Sequence, residues 1–342
     1  MLSLPKLKIA VTGGSGFLGS HLLPLLVAEN CEISCLIRAA AKADRLPPKV
    51  EAVRGDCLDA DSLLPLLRGR DVIIHMAGLL FAPDWQSYLE ANVRATRNLL
   101  AARASLAPEE RPSKLIFIPS LAAAGPCASS PGIAENTPGL PVSGYGWSKL
   151  ISEKLLQEDL GEDALILRPP IIYGSGDKGL LPMFKSAAHG LGISPGIGRD
   201  FPVSVIHARD VSRAILLLLR NDASGIYHLN DGEEHSMASF CQAMGKAMNR
   251  KLKILRLPLP LMGSTAALCS AWANLGRQLS RHFGLRNFGT PQWNLDKFRE
   301  ARQEGWLANA ERIRSGYGFK ASMNLEQGMR EAVTGYHKAG LL

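Results

Sequence analysis

Three residues could together run a proton transfer. Tyr145 and Lys149 stand four apart in Tyr145-Gly-Trp-Ser-Lys149. On a helix that spacing puts a phenol and an ammonium on one face. Burial disfavours the phenolate and a nearby cation favours it. The expectation is a tyrosine whose pKa the lysine pulls down toward neutrality, able to give and take a proton. Ser120 follows the apolar run Leu115–Pro119 and lies 25 residues before Tyr145. Its hydroxyl can hydrogen-bond a substrate oxygen. Tyr-x-x-x-Lys alone is common by chance, so its force here comes from position.

A second constellation opens the chain. Thr12-Gly13-Gly14-Ser15-Gly16-Phe17-Leu18-Gly19 follows the apolar run Leu7–Val11 and precedes the helix-like run Ser20–Glu29. Gly13 allows a tight strand-to-helix turn. Gly16 lets a ligand reach the backbone, and Gly19 lets the helix pack close to the strand. Such a turn holds a pyrophosphate on the free N–H groups and partial positive charge of the helix N-terminus.

These residues need a frame. The first half alternates apolar strands with amphipathic helices. The strands expected are Leu7–Val11, Glu32–Ile37, Val50–Arg54, Val72–His75, Leu115–Pro119 and Ala164–Leu167. The helices include Trp85–Arg103 and Tyr145–Leu160. Strands separated by helices imply an α/β, doubly wound parallel sheet, which binds ligands at the carboxyl ends of its strands. The Pro-, Gly- and Ser-rich loop Gly125–Gly144 should lie over the site. After Ile172 the pattern loosens. Residues 173–342 are expected to form a smaller, mostly helical substrate region, with some segments, such as the helix Asp210–Leu219 and the strand Ile226–Leu229, returning to the main sheet.

Composition narrows the class. Of 342 residues, 46% are hydrophobic and 20% charged, as in a soluble globular protein. The first strand begins by Leu7, which leaves no room for a signal peptide, so a cytoplasmic protein is expected. Six cysteines without a Cys-x-x-Cys pair read as reduced, small apolar residues, with no metal and no disulfide. The net charge of +8 is concentrated late, with eight Lys/Arg against four Asp/Glu between Arg277 and Arg314. That excess suits an anionic cofactor or substrate. Nucleic acid is not expected, since no recognition motif appears. The run Leu257–Leu275 has no charged residue. Its prolines and polar residues argue against a spanning helix and for a buried helix or a cover of the substrate cleft. Peripheral membrane contact is conceivable for it but not expected.

Together these features resemble the short-chain dehydrogenase/reductases of the extended type. The resemblance rests on the Thr12–Gly19 turn, Gly55-Asp56, Asp71-Val-Ile-Ile-His-Met-Ala77-Gly78, Asn92-Val93 with Thr96, Ser120, Tyr145 with Lys149, and Leu167-Arg-Pro169-Pro170 followed by Tyr173-Gly174. It implies a dinucleotide-binding Rossmann domain over residues 1–172. It also implies roles. Ser15, Gly16, Phe17 and Leu18 would contact the pyrophosphate, Asp56 the adenine edge, and Ala77 and Gly78 the ribose. Asn92 would support the cofactor side, or simply cap or kink its helix. Pro169 to Ile172 would border the nicotinamide. Tyr145 would be the acid/base, Lys149 would bind the nicotinamide ribose and keep the phenol acidic, and Ser120 would orient the carbonyl. A homodimer through two helices, one of them Tyr145–Leu160, is a further implication.

Cofactor choice turns on the second strand. It ends Cys35-Leu-Ile-Arg38 with no carboxylate to accept from both ribose hydroxyls. Arg38 can pair with a 2′-phosphate, which favours NADP. NAD stays open, because an arginine there can also stack on its adenine. The expected function is hydride transfer between NAD(P) and a ketone or secondary alcohol of a bulky, apolar small molecule, steroid-, flavonoid- or lipid-like. Two alternatives stand beside it. One is a nucleotide-sugar epimerase or dehydratase with retained NAD, using Arg209, Arg213 or the basic tail for a diphosphate. The other is a non-catalytic dinucleotide sensor or assembly subunit.

Overall fold

The computed structural model describes residues 6–283 and 289–342. Seven strands build its central sheet: β1 (Lys8–Thr12), β2 (Glu32–Ile37), β3 (Val50–Arg54), β4 (Val72–His75), β5 (Lys114–Phe117), β6 (Leu165–Arg168) and β7 (Gly225–His228). Their order is β7-β6-β5-β4-β1-β2-β3, and every pairing is parallel. The chain runs outward from β1 through β2 to β3, then restarts on the other flank at β4. That reversal opens a crevice at the carboxyl ends of β1 and β4.

The strands are apolar on both faces because helices cover both. Ile9, Val11, Ile74 and Ile116 pack against Leu22, Leu23 and Leu26 of α1 (Phe17–Ala28). Ala10, Ile73, Leu115 and Phe117, the alternate residues, point to the other side. There they meet Leu99 and Leu100 of α2 (Ala95–Ser105) and Leu156 of α3 (Gly144–Leu160). Helix α4 (Ala208–Arg220) joins the α1 layer through Val211, Ile215, Leu218 and Leu219. Thus α4 and β7, both beyond residue 172, belong to the main sheet.

The remaining C-terminal part has its own core. Phe240 and Met244 of α5 (Met237–Ala247) pack with Phe184 and with Met329, Ala332 and Tyr336 near the chain end. Helix α6 (Leu259–Phe283) is followed by the short α7 (Leu295–Ala301), and α8 (Leu325–Lys338) closes the chain.

Two expectations are corrected. The helix expected over Trp85–Arg103 is interrupted: a π-turn over Leu89–Arg94 separates the short helix Trp85–Tyr88 from α2. Asn92 sits in that turn and is 2% exposed. The uncharged run is not a buried helix. It enters α6, a surface helix with Met262, Ala266 and Ala273 turned inward and Leu261, Leu268, Trp272 and Leu275 exposed. Among the described residues, no helix is long and apolar enough to cross a membrane.

Candidate active site

The glycine turn joins β1 to α1 at the crevice. Gly13 has φ +77°, and a Cβ there would stand 2.6 Å from the Ala77 nitrogen. The turn therefore lies directly against the Met76-Ala77 backbone that follows β4. A Cβ on Gly19 would meet the Gly14 oxygen at 2.0 Å, so the helix rests on the turn itself. Gly14 carries a comparable constraint that the triplet spacing left out, with a Cβ 2.6 Å from Cys35 Sγ. Gly16 is the N-cap of α1, and the first turn of that helix holds no acidic residue to compete with an anion. Ser15, Phe17 and Leu18 surround this N-terminus.

Ser120, Tyr145 and Lys149 converge at the carboxyl end of β5. The Ser120 Oγ accepts from the Ala122 N–H at 3.1 Å, which leaves its proton to donate. The Ser120 hydroxyl faces the Tyr145 phenol and favours its phenolate. Tyr145 is 8% exposed and Lys149 4%. The Lys149 Nζ lies 5.6 Å from the Phe117 ring centre and 5.8 Å from that of Tyr145. It also crowds Gly78, where an added Cβ would stand 2.4 Å away. The ammonium makes no hydrogen bond or ion pair to a described residue. Burial drives Lys149 down to about 8, against the pull of Glu153.

The acidity expected of Tyr145 is not in place. Burial raises its pKa above the ordinary phenol value, and the nearby Ser120 hydroxyl offsets only part of that. At nearly 6 Å, Lys149 is too far to reverse the desolvation. The phenol is therefore held protonated, the form that donates to a carbonyl oxygen.

The other expected residues line the same crevice or brace it. Arg38 follows β2 and is exposed; Asp56 follows β3, with its Oδ1 on the Leu58 N–H at 3.0 Å. Ala77 and Gly78 follow β4, and the Thr12 Oγ1 accepts from the Ala77 N–H at 3.4 Å. Asn92 is turned to protein. Its Oδ1 accepts from Leu79 N at 2.7 Å, and its Nδ2 donates to Leu79 O at 3.2 Å and Ser148 Oγ at 2.8 Å. It ties the π-turn, the loop after β4 and α3 together, and so serves the cofactor side through them. The Pro169 carbonyl accepts from Leu121 N at 2.8 Å, beside Ser120. Ile172 lies on the short strand Ile171–Tyr173 just beyond.

Several residues at the site were not singled out in sequence. On α7, the Asp296 Oδ1 accepts from Gly144 N at 2.6 Å and its Oδ2 from Tyr145 N at 3.2 Å. The Glu300 Oε1 accepts from Ser143 Oγ at 2.6 Å. The Lys297 Nζ stands 4.3 Å from the Tyr145 ring centre. No local spacing carries a contact between residues 152 apart. Behind Lys149, Arg168 and Glu153 form a buried pair at 2.5 Å, and Arg168 also approaches His228 Nε2 at 3.4 Å. His75, between Thr12 Oγ1 at 2.6 Å and Thr96 Oγ1 at 3.2 Å, is pushed down to about 3 by burial and by Lys149. It is a neutral structural histidine.

These residues fit a nicotinamide dinucleotide. A glycine turn at an acid-free helix N-terminus suits a pyrophosphate. The buried Lys149 ammonium, with no protein hydrogen bond, suits a ribose hydroxyl. Comparison with known proteins agrees. A profile of the NAD dependent epimerase/dehydratase family matches residues 9–230. The chain is 29% identical to the ceramide reductase of Caulobacter vibrioides, over 98% of this chain and 96% of that protein. It is 25% identical to the 4-hydroxy-2-methyl-3-oxo-4-farnesyl-3,4-dihydroquinoline-1-oxide ketoreductase of Stigmatella aurantiaca, over 87% and 98%. The fold is similar to that of Thermus thermophilus UDP-glucose 4-epimerase, solved with NAD, at a TM-score of 0.73 and 21% identity, covering 97% of this chain and 100% of that one. The chain thus belongs to the NAD-dependent epimerase/dehydratase family, within the extended short-chain dehydrogenase/reductases, and is an enzyme of that family.

Proposed function

We propose that the enzyme transfers a hydride between a nicotinamide dinucleotide, NADP in preference to NAD, and a ketone or secondary alcohol of a bulky, largely apolar molecule. The observation that carries this reading is the convergence of the buried Tyr145 phenol with Ser120 and Lys149 at the mouth of the dinucleotide crevice. The dinucleotide supplies or takes the hydride. In the reductive direction, Tyr145 gives its proton to the carbonyl oxygen as that oxygen gains charge. Ser120 donates a hydrogen bond to the same oxygen and fixes its position. Lys149 holds the ribose and stabilises the phenolate left behind.

The apolar class draws support from two sides. The two relatives named above are reductases of a ceramide and of a farnesyl-bearing quinoline oxide. In this chain, the residue after Lys297 is Phe298, which helps line a mostly apolar groove of about 550 Å³ with Leu259, Pro260, Gly263 and Ala267, beside Ser264 and Arg302. The epimerase reading keeps the support of the family and of the neighbouring fold. Its diphosphate ligands are weaker. Arg213 is engaged by Asp210 at 2.7 Å and by the Lys320 carbonyl at 3.2 Å, while Arg209 rests on Met323. NADP preference rests on Arg38, exposed at the end of β2 with no carboxylate beside it in sequence.

The test is to denature purified protein, identify any released nucleotide, and assay sterols, long-chain ketones and flavonoids with NADPH and NADH. Reversible cofactor binding and net oxidation of the reduced nicotinamide are expected. Retained NAD, with turnover of nucleotide-sugars alone and no net cofactor change, would establish the epimerase instead.

A further inference from the structure

Helix α7 reaches the proton-transfer site from the C-terminal region and brings three charges with it. Asp296 takes the Gly144 and Tyr145 N–H groups, the first free donors of α3. Lys297 lies 4.3 Å from the Tyr145 ring centre and 5.6 Å from that of Phe81. Its Nζ pairs with Glu300 at 3.0 Å and 3.2 Å. Glu300 also accepts from Ser143, the N-cap of α3. Both partners are largely enclosed, with side chains 13% and 19% exposed. Lys297 is closer to the phenol ring than Lys149 is.

We propose that Lys297 and Glu300 form a charge-balancing pair that positions the Tyr145 phenol and sets its electrostatic surroundings from the substrate side. A cation over a phenol ring favours the phenolate. A carboxylate beside it opposes the phenolate, and Glu300 acts on Tyr145 in that direction. Paired, the two act on the phenol in opposite senses. The other groups facing Tyr145 are Lys149 on its own helix, Asp296 on α7, the Ser120 hydroxyl and the Tyr88 ring at 6.0 Å. None of these neutralises Glu300. Lys297 is thus a positioning residue that acts through Tyr145, and it makes the chemistry depend on how α7 is docked.

The inference rests on Tyr145 being the acid/base. Its test is the pH dependence of alcohol oxidation, whose rate rises as the phenol loses its proton. Lys297→Met leaves Glu300 uncompensated. The profile should move up by about one pH unit, with turnover at neutral pH down about tenfold. Glu300→Gln keeps an acceptor for Ser143 and removes the charge, so the profile should move down. The double variant should return close to the parent profile, because the two effects are coupled, and Lys297→Arg should preserve it. Dinucleotide affinity should be unchanged in all four. Uniform losses with an unmoved profile would mean a merely structural role and overturn the inference. A profile that moves the same way in both single variants would overturn it too. Tyr145→Phe, run alongside, separates the two levels. If it stays active, the acid/base reading and this inference fall together. If it is inactive while the profiles do not move, only the inference falls.

Discussion

The proposed choice between two cofactors that differ by one phosphate turns on Arg38. It stands exposed where β2 ends, at the position from which a carboxylate would reach a ribose. A lost charge-assisted contact costs roughly 1.5–3 kcal/mol, on the order of tenfold to a hundredfold in affinity. Arg38→Ala should therefore weaken NADPH binding by that factor and NADH binding far less. Titration of both cofactors checks this, and equal weakening would remove Arg38 from the 2′-phosphate. At this scale the sequence was legible wherever a residue's placement follows from local geometry. The four-residue spacing of Tyr145 and Lys149 placed both in one site, and the glycine triplet placed the turn. The acidity of Tyr145 was not legible. It depends on how deeply the ring is buried and on Glu300, which approaches from more than 150 residues away.

At the scale of elements, the site is a meeting of strand ends with three helices whose docking is set by polar contacts. Asn92 shows this for α3. Its amide joins the loop after β4 to Ser148, and the π-turn that presents it has no signature in the helical pattern of residues 85–103. Helix α6 shows the limit of hydropathy alone. A run without charge was expected to be a buried helix or a cover of the substrate cleft, and half of it faces outward, with Leu261, Leu268, Trp272 and Leu275 exposed. Helix α8 is held differently. The Glu331 carboxylate accepts from Ser175 N at 3.0 Å and Ser175 Oγ at 2.8 Å, and lies 3.1 Å from His207 Nε2. Burial pushes Glu331 up, but these partners more than offset it and hold it at about 2, below the ordinary 4.5. A depressed carboxyl contributes stability above its unfolded value and loses it as pH falls through the folded one. The contribution, on the order of 1–2 kcal/mol after allowance for its partial exposure, should be present above about pH 4.5 and fade toward pH 2. Glu331→Gln should lower the melting temperature at pH 6 and flatten its acid dependence in that window. An unchanged slope in acid melts would show that this carboxylate does not anchor α8.

For the whole molecule, the sheet explains why these parts meet. Parallel strands aim all their carboxyl ends at one edge, and the reversal at β1 and β4 opens that edge to a dinucleotide. Alternating strands and helices made this much legible before any coordinates. The C-terminal part was less so, because its short strands and helices pack on partners far away in sequence rather than on a repeating unit. Its return to the site through α7 puts Lys297, which lies over the Tyr145 ring, and Phe298, which lines the groove, side by side on one short helix. The central claim is that Tyr145 moves the proton. Tyr145→Phe removes one hydroxyl and leaves the ring packed against Tyr88 and Lys297, so folding and dinucleotide affinity should survive. The measurement is single-turnover kinetics of this variant beside a cofactor titration. The account predicts at least about a hundredfold loss in the hydride-transfer rate, with unchanged dinucleotide binding. A near-normal rate in the folded, dinucleotide-bound variant would contradict it.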